Sequence, residues 1–142
     1  MDFVQARRLV KDFEAGILPK DQWTHTAHFV VALCYCMDLP LPEAVEKIRN
    51  NIKSYNVKAG GQNTDTSGYH ETITLFYMST IAQYLIRMGI TQLDKDQFSL
   101  FFQQPFLDRS YPLQFYSREY LMSVEARKTW MPPDRQAFGI LF

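Results

Sequence analysis

Ser67-Gly68-Tyr69-His70-Glu71-Thr72-Ile73-Thr74-Leu75-Phe76-Tyr77-Met78-Ser79-Thr80-Ile81-Ala82-Gln83-Tyr84-Leu85-Ile86-Arg87-Met88 is the stretch on which the fold turns. Ile73, Phe76, Tyr77, Ile81, Tyr84 and Leu85 recur at helical spacing and leave only a narrow polar side. A helix with so little polar surface belongs in the middle of a domain. The spacing predicts the longest helix of the chain over about 68–88. Ser67 is a natural N-cap, Glu71 in the first turn complements the helix dipole, and Gly89 stops it.

Working back from there, residues 56–67 are polar and contain Gly60-Gly61. They form the longest loop between helices, and loops of that length are often functional. Before the loop, a helix over about 42–55 turns Ala44, Val45, Ile48, Ile52 and Tyr55 inward and Glu43, Glu46, Lys47, Arg49 and Lys53 outward. Pro40 and Pro42 separate it from a helix that begins near Asp21 or Thr24 and ends at Asp38. That helix carries a stripe of His25, His28, Ala32 and Tyr35, with Val31, Leu33 and Cys34 on adjacent faces, so it is mostly buried. A first helix over 2–15 has Asp2 as its N-cap and Gly16 as its stop.

Working forward, a shorter helix over about 94–103 carries Phe98, Phe101 and Phe102 and is closed by Pro105. A final helix lies near 113–123, and residues 123–127 extend it or start another turn. Prolines keep Trp130-Met131-Pro132-Pro133 extended. The apolar tail, with Trp130, Phe138, Ile140, Leu141 and Phe142, packs on the body or on a second copy of the chain. No segment alternates with period two and no repeat is present. The class is all-α: a single-domain helical bundle over 1–142 with five to seven helices, the second and fourth of these at its centre.

Bulk properties narrow the function. The 142 residues carry 15 basic and 15 acidic side chains, so no charge excess attracts a phosphate backbone, and nucleic acid is not an expected partner. No apolar run approaches the roughly 20 residues of a membrane span. The N-terminus enters a helix directly, without a signal peptide's apolar core. Cys34 and Cys36 project about 200° apart on a helix, which makes them reduced core thiols rather than a redox pair. A cytoplasmic protein is expected. GxGxxG, Walker and GxSxG motifs are absent from the sequence.

The chemistry-bearing residues are the three histidines. His25 and His28 lie one helical turn apart on one face, a common spacing for metal ligands. His70 offers a third ligand from a second buried helix. Three imidazoles with an open position would suit zinc or another first-row divalent ion. Glu71 is the candidate base or ligand-orienting carboxylate, and Glu14 is another carboxylate that could approach. Tyr55 and Tyr69 are candidates to line a substrate pocket, with Arg118 to hold an anion. Histidines near helix starts stay neutral more readily, and helix starts also favour anions.

Phe13-Glu14-Ala15-Gly16, Trp23-Thr24-His25-x-x-His28, Ile52-x-x-Tyr55-Asn56, Gly68-Tyr69-His70-Glu71-Thr72 and Glu125-Ala126-Arg127-x-x-Trp130-x-x-Pro133-Asp134 together resemble a bacterial family of small hypothetical proteins. The resemblance spans most of the chain in the same order. It implies a free-standing cytoplasmic domain, points to the same histidines and implies no substrate.

Three functions follow as expectations. The first is a metal-dependent enzyme acting on a small anionic molecule, with His25, His28 and His70 on the ion and Glu71 as base. The second is a small-molecule binding protein that uses the same pocket without turnover. The third is an interaction module, or a homodimer, that uses the aromatic C-terminal tail.

Overall fold

The computed structural model describes residues 1–139, and Ile140, Leu141 and Phe142 lie outside the described residues. The described chain is all-α. It contains seven α-helices: α1 (Phe3–Ala15), α2 (His25–Asp38), α3 (Leu41–Lys58), α4 (Glu71–Arg87), α5 (Lys95–Phe101), α6 (Arg118–Leu121) and α7 (Val124–Lys128). Short 3₁₀ turns at Lys20–Gln22, Pro105–Leu107 and Tyr111–Gln114 link them. No described helix is long and apolar enough to cross a membrane.

Helix α1 starts with a reciprocal capping box between Asp2 and Gln5, and Gly16 ends it in the left-handed region at φ 73°. Helix α2 packs against α1, α3 and α4. Its Phe29–Tyr35 run is buried without interruption, as its nearly unbroken apolar sequence requires. Helix α4 packs on α2, α3 and α7. The second and fourth helices therefore meet at the centre of the bundle. A second apolar cluster sits on the outer side of α4, where Phe76 meets Phe115, Tyr116 and Leu121.

Three boundaries differ from the spacing. Helix α4 begins at Glu71, three residues later than the pattern placed it, because its cap is the imidazole of His70 rather than Ser67. Gly68 at φ 82° breaks the chain before the helix, and Ser67 is engaged in a turn with Thr64. Helix α3 runs on to Lys58, beyond Tyr55. The helix expected near 113–123 is instead a 3₁₀ turn followed by α6 and α7, and α7 has its own cap at Ser123.

The described part of the tail, up to Gly139, folds back on the body. Tyr116 and Tyr120 donate their hydroxyls to the carbonyls of Met131 and Pro132. Phe138 stands edge-on to Phe76, with ring centroids 4.7 Å apart. Cys34 and Cys36 are free thiols. Burial pushes them up to about 11 and about 12, which leaves both protonated and unreactive at neutral pH.

Candidate functional site

The start of α2 is built to present two imidazoles. Thr24 caps the helix, its Oγ1 accepting from the Ala27 amide at 3.1 Å. His28 lies one turn on, and its Nδ1 approaches the Thr24 carbonyl at 2.7 Å. His25 Nε2 approaches the Leu107 carbonyl, on the 3₁₀ turn after α5, at 2.6 Å. A carbonyl can only accept, so each of these nitrogens carries the proton. In the neutral rings the other nitrogens, Nδ1 of His25 and Nε2 of His28, therefore hold a lone pair. Neither has a protein hydrogen-bond partner among the described residues.

Aromatic stacking fixes the second ring. Trp23 lies against His28 with centroids 3.8 Å apart, and Phe13 stacks on the far face of the same cluster at 4.4 Å from Trp23. Burial lowers the His28 pKa, and the charges of His25 and Arg109 lower it further against the bond to Thr24. His28 is consequently neutral at physiological pH, with its Nε2 lone pair available.

Both rings line a cavity of about 430 Å³ between α2 and α4, a size typical of small-molecule sites. Phe29, Ala32, Ile48, Ile52, Ile73 and Met78 make its interior apolar, and Thr24, Thr74, Tyr77 and Arg109 supply polar groups. The Tyr77 hydroxyl reaches the Asp108 carbonyl only at 3.5 Å, a contact weak enough to yield to a ligand. Arg109 is exposed on a loop held by Asp108, whose Oδ1 accepts from the Ser110 amide and hydroxyl at 2.8 and 2.6 Å. No carboxylate lies within ion-pair distance of Arg109 among the described residues. The cavity lining thus combines two imidazoles, a guanidinium without an ion-pair partner among the described residues and an apolar body. Nothing in the sequence pattern singles out Arg109. The loop joining Asp108, Arg109 and Tyr111 carries no motif, and Arg109 reaches the histidines only through the fold.

The other residues expected at the site are placed elsewhere. His70 is buried, and both of its nitrogens are engaged: Nδ1 accepts from the Ile73 amide at 3.1 Å and Nε2 donates to the Leu121 carbonyl at 2.7 Å. No lone pair remains for an ion. Of the expected trio, His25 and His28 line one cavity and His70 does not, and no three His, Cys, Asp or Glu side chains gather in metal-holding geometry among the described residues.

Glu71 does not face the histidine cavity. Arg49 grips it with two bonds of 2.9 and 2.8 Å, and the Tyr69 hydroxyl donates to it at 2.6 Å. Burial pushes the Glu71 carboxyl up, but the bonds from Arg49 and Tyr69 and the nearby cations outweigh it, and the group sits below the usual carboxylate range. A carboxylate so fully paired is a poor base. Tyr69 is engaged with it, and Tyr55 donates its hydroxyl to the Leu18 carbonyl at 2.8 Å inside the core. Arg118 is exposed at the start of α6 and lines neither this cavity nor the pocket around Glu71. Glu14 accepts from Tyr35 and pairs with Lys47, which ties α1 to α2 and α3.

Compared with protein-family models, curated proteins and solved structures, the chain matches none of them.

Proposed function

We propose that the chain binds a small anion with an apolar body, such as a fatty or aryl carboxylate, in the cavity between α2 and α4. One observation carries this reading: Arg109, with no carboxylate within ion-pair distance among the described residues, lines an apolar cavity whose wall also holds His25 and His28, each tethered to a backbone carbonyl. The guanidinium matches a carboxylate in charge and shape. The apolar walls match a hydrocarbon or ring. A neutral His28 accepts a hydrogen bond from a hydroxyl or amine elsewhere on the ligand.

A thermal-shift series tests this. Octanoate and phenylacetate, which alone can pair with Arg109, are expected to raise the melting temperature more than octanol and phenethylamine do. Equal stabilisation by the amine would contradict the reading.

The second reading is a divalent ion held by His25 and His28, with the ligand completing its coordination. Both imidazoles line the same cavity, and each keeps one nitrogen without a protein partner among the described residues, which favours it. Two protein ligands are one short of the usual catalytic zinc set, which is why it stands second. Elemental analysis of protein purified without a histidine tag separates the two: a stoichiometric transition metal lost in a His28→Ala variant would put the ion first.

A further inference from the structure

A second cleft, of about 420 Å³, opens where α3, the loop before α4 and α7 meet. Its character is opposite to that of the histidine cavity. Arg49, Lys53, Arg127 and Lys128 face two carboxylates, Asp65 and Glu71. Arg49 neutralises Glu71 at 2.8 Å and Lys128 neutralises Asp65 at 3.5 Å. Lys53 and Arg127 have no carboxylate within ion-pair distance among the described residues, so the cleft keeps two positive charges.

Those charges are held in place. The Lys53 ammonium stands 5.2 Å from the centre of the Tyr69 ring. Arg127 donates Nη1 to the Gly68 carbonyl at 2.9 Å, which points the guanidinium at the loop. Asn63 knits the loop to α3: its Oδ1 accepts from the Tyr69 amide and from Asn56, and its Nδ2 donates to the Lys53 carbonyl. Gly68 packs so closely on the Gln62 carbonyl and Asn63 that a Cβ would collide. The polar loop between α3 and α4 is therefore a fixed wall of the cleft.

From this arrangement we propose that the cleft between α3 and α7 binds the phosphoryl dianion of a small phosphorylated molecule, with Lys53 and Arg127 supplying the two charges. The guanidinium fits planar oxygens and the lysine acts as a point charge. This site shares no lining residue with the histidine cavity and stands independently of the function proposed for it.

The test is calorimetric titration of the full chain with inorganic phosphate under mildly alkaline conditions, where phosphate is a dianion. Saturable binding is expected. Lys53→Gln should weaken it by about tenfold or more, because a charge-assisted contact is lost. Lys53 is exposed, so this variant should keep the wild-type melting temperature. Arg127→Gln should weaken binding similarly, and Arg109→Gln should leave it unchanged. Absence of saturable binding, wild-type affinity in Lys53→Gln, or loss of binding in Arg109→Gln would each overturn the assignment.

Discussion

His70 Nε2 lies 2.7 Å from the carbonyl oxygen of Leu121, 51 residues away, while Nδ1 of the same ring caps α4. One imidazole thus joins the start of the central helix to the end of α6. The ring must be neutral and in a single tautomer to do both, since one nitrogen donates and the other accepts.

The cost of losing that link is the first prediction. His70→Ala removes a helix cap and leaves a buried carbonyl unpaired, for a loss of about 2–4 kcal/mol. His70→Asn restores the cap and recovers about 1 kcal/mol of it. Urea denaturation of the two variants checks the order. Equal stability of His70→Ala and wild type would remove the structural role.

Acid should weaken the fold through histidine. Burial, above all, lowers the pKa of both His28 and His70 in the folded chain. Between the folded pKa and the unfolded value near 6.5, the unfolded chain binds more protons, so stability falls as pH drops through that window and is fully present above it. The melting temperature should therefore decline on acidification from about pH 6.5, before carboxylates titrate. His70→Asn should flatten the decline. A variant as steep as wild type would locate the effect elsewhere.

Arg49 and Glu71 are predicted to matter for stability and not for ligand affinity in the histidine cavity. The pair is half-buried and doubly bonded, so Arg49→Ala leaves Glu71 unmatched and costs about 1–3 kcal/mol. Octanoate affinity should stay within about twofold of wild type, as for a residue with no contact to the ligand. A large loss of affinity without loss of stability would restore Glu71 to the site.

Thr72 ties the tail to α4. Its buried hydroxyl donates to the Thr129 carbonyl at 2.9 Å and accepts from the Met131 amide at 3.1 Å. Thr72→Val keeps the shape and leaves both groups unpaired, at a cost of about 1–3 kcal/mol. Hydrogen exchange at Met131 should accelerate in the variant. Unchanged protection there would mean the tail is held by its aromatic contacts alone.

The fold was largely legible because its signals are local. Periodic apolar residues place α1 to α5, and caps such as Asp2, Thr24 and Asp94 mark three of their starts. Short segments failed: α6 and α7 are four and five residues long, too brief for periodicity to register. The site was legible in part. The spacing of His25 and His28 put them on one face, and the structure brings both to one cavity. His70 reads identically in sequence, as a histidine near a helix start. Only the position of Leu121, set by tertiary packing, commits its ring. Arg109 carries no sequence signal at all, because a loop residue's neighbours are decided by the fold and not by spacing.

The most direct test of the ligand cavity is nitrogen-resolved NMR of the imidazole rings during titration with octanoate. Free His28 should show a protonated Nδ1 and a bare Nε2, and His25 the opposite tautomer. On adding octanoate the resonances of His25 and His28 should move together and saturate, those of His70 should not move, and Arg109→Gln should weaken the response by about tenfold or more. Movement of His70 in step with the others, or a saturating response indifferent to Arg109, would contradict the account.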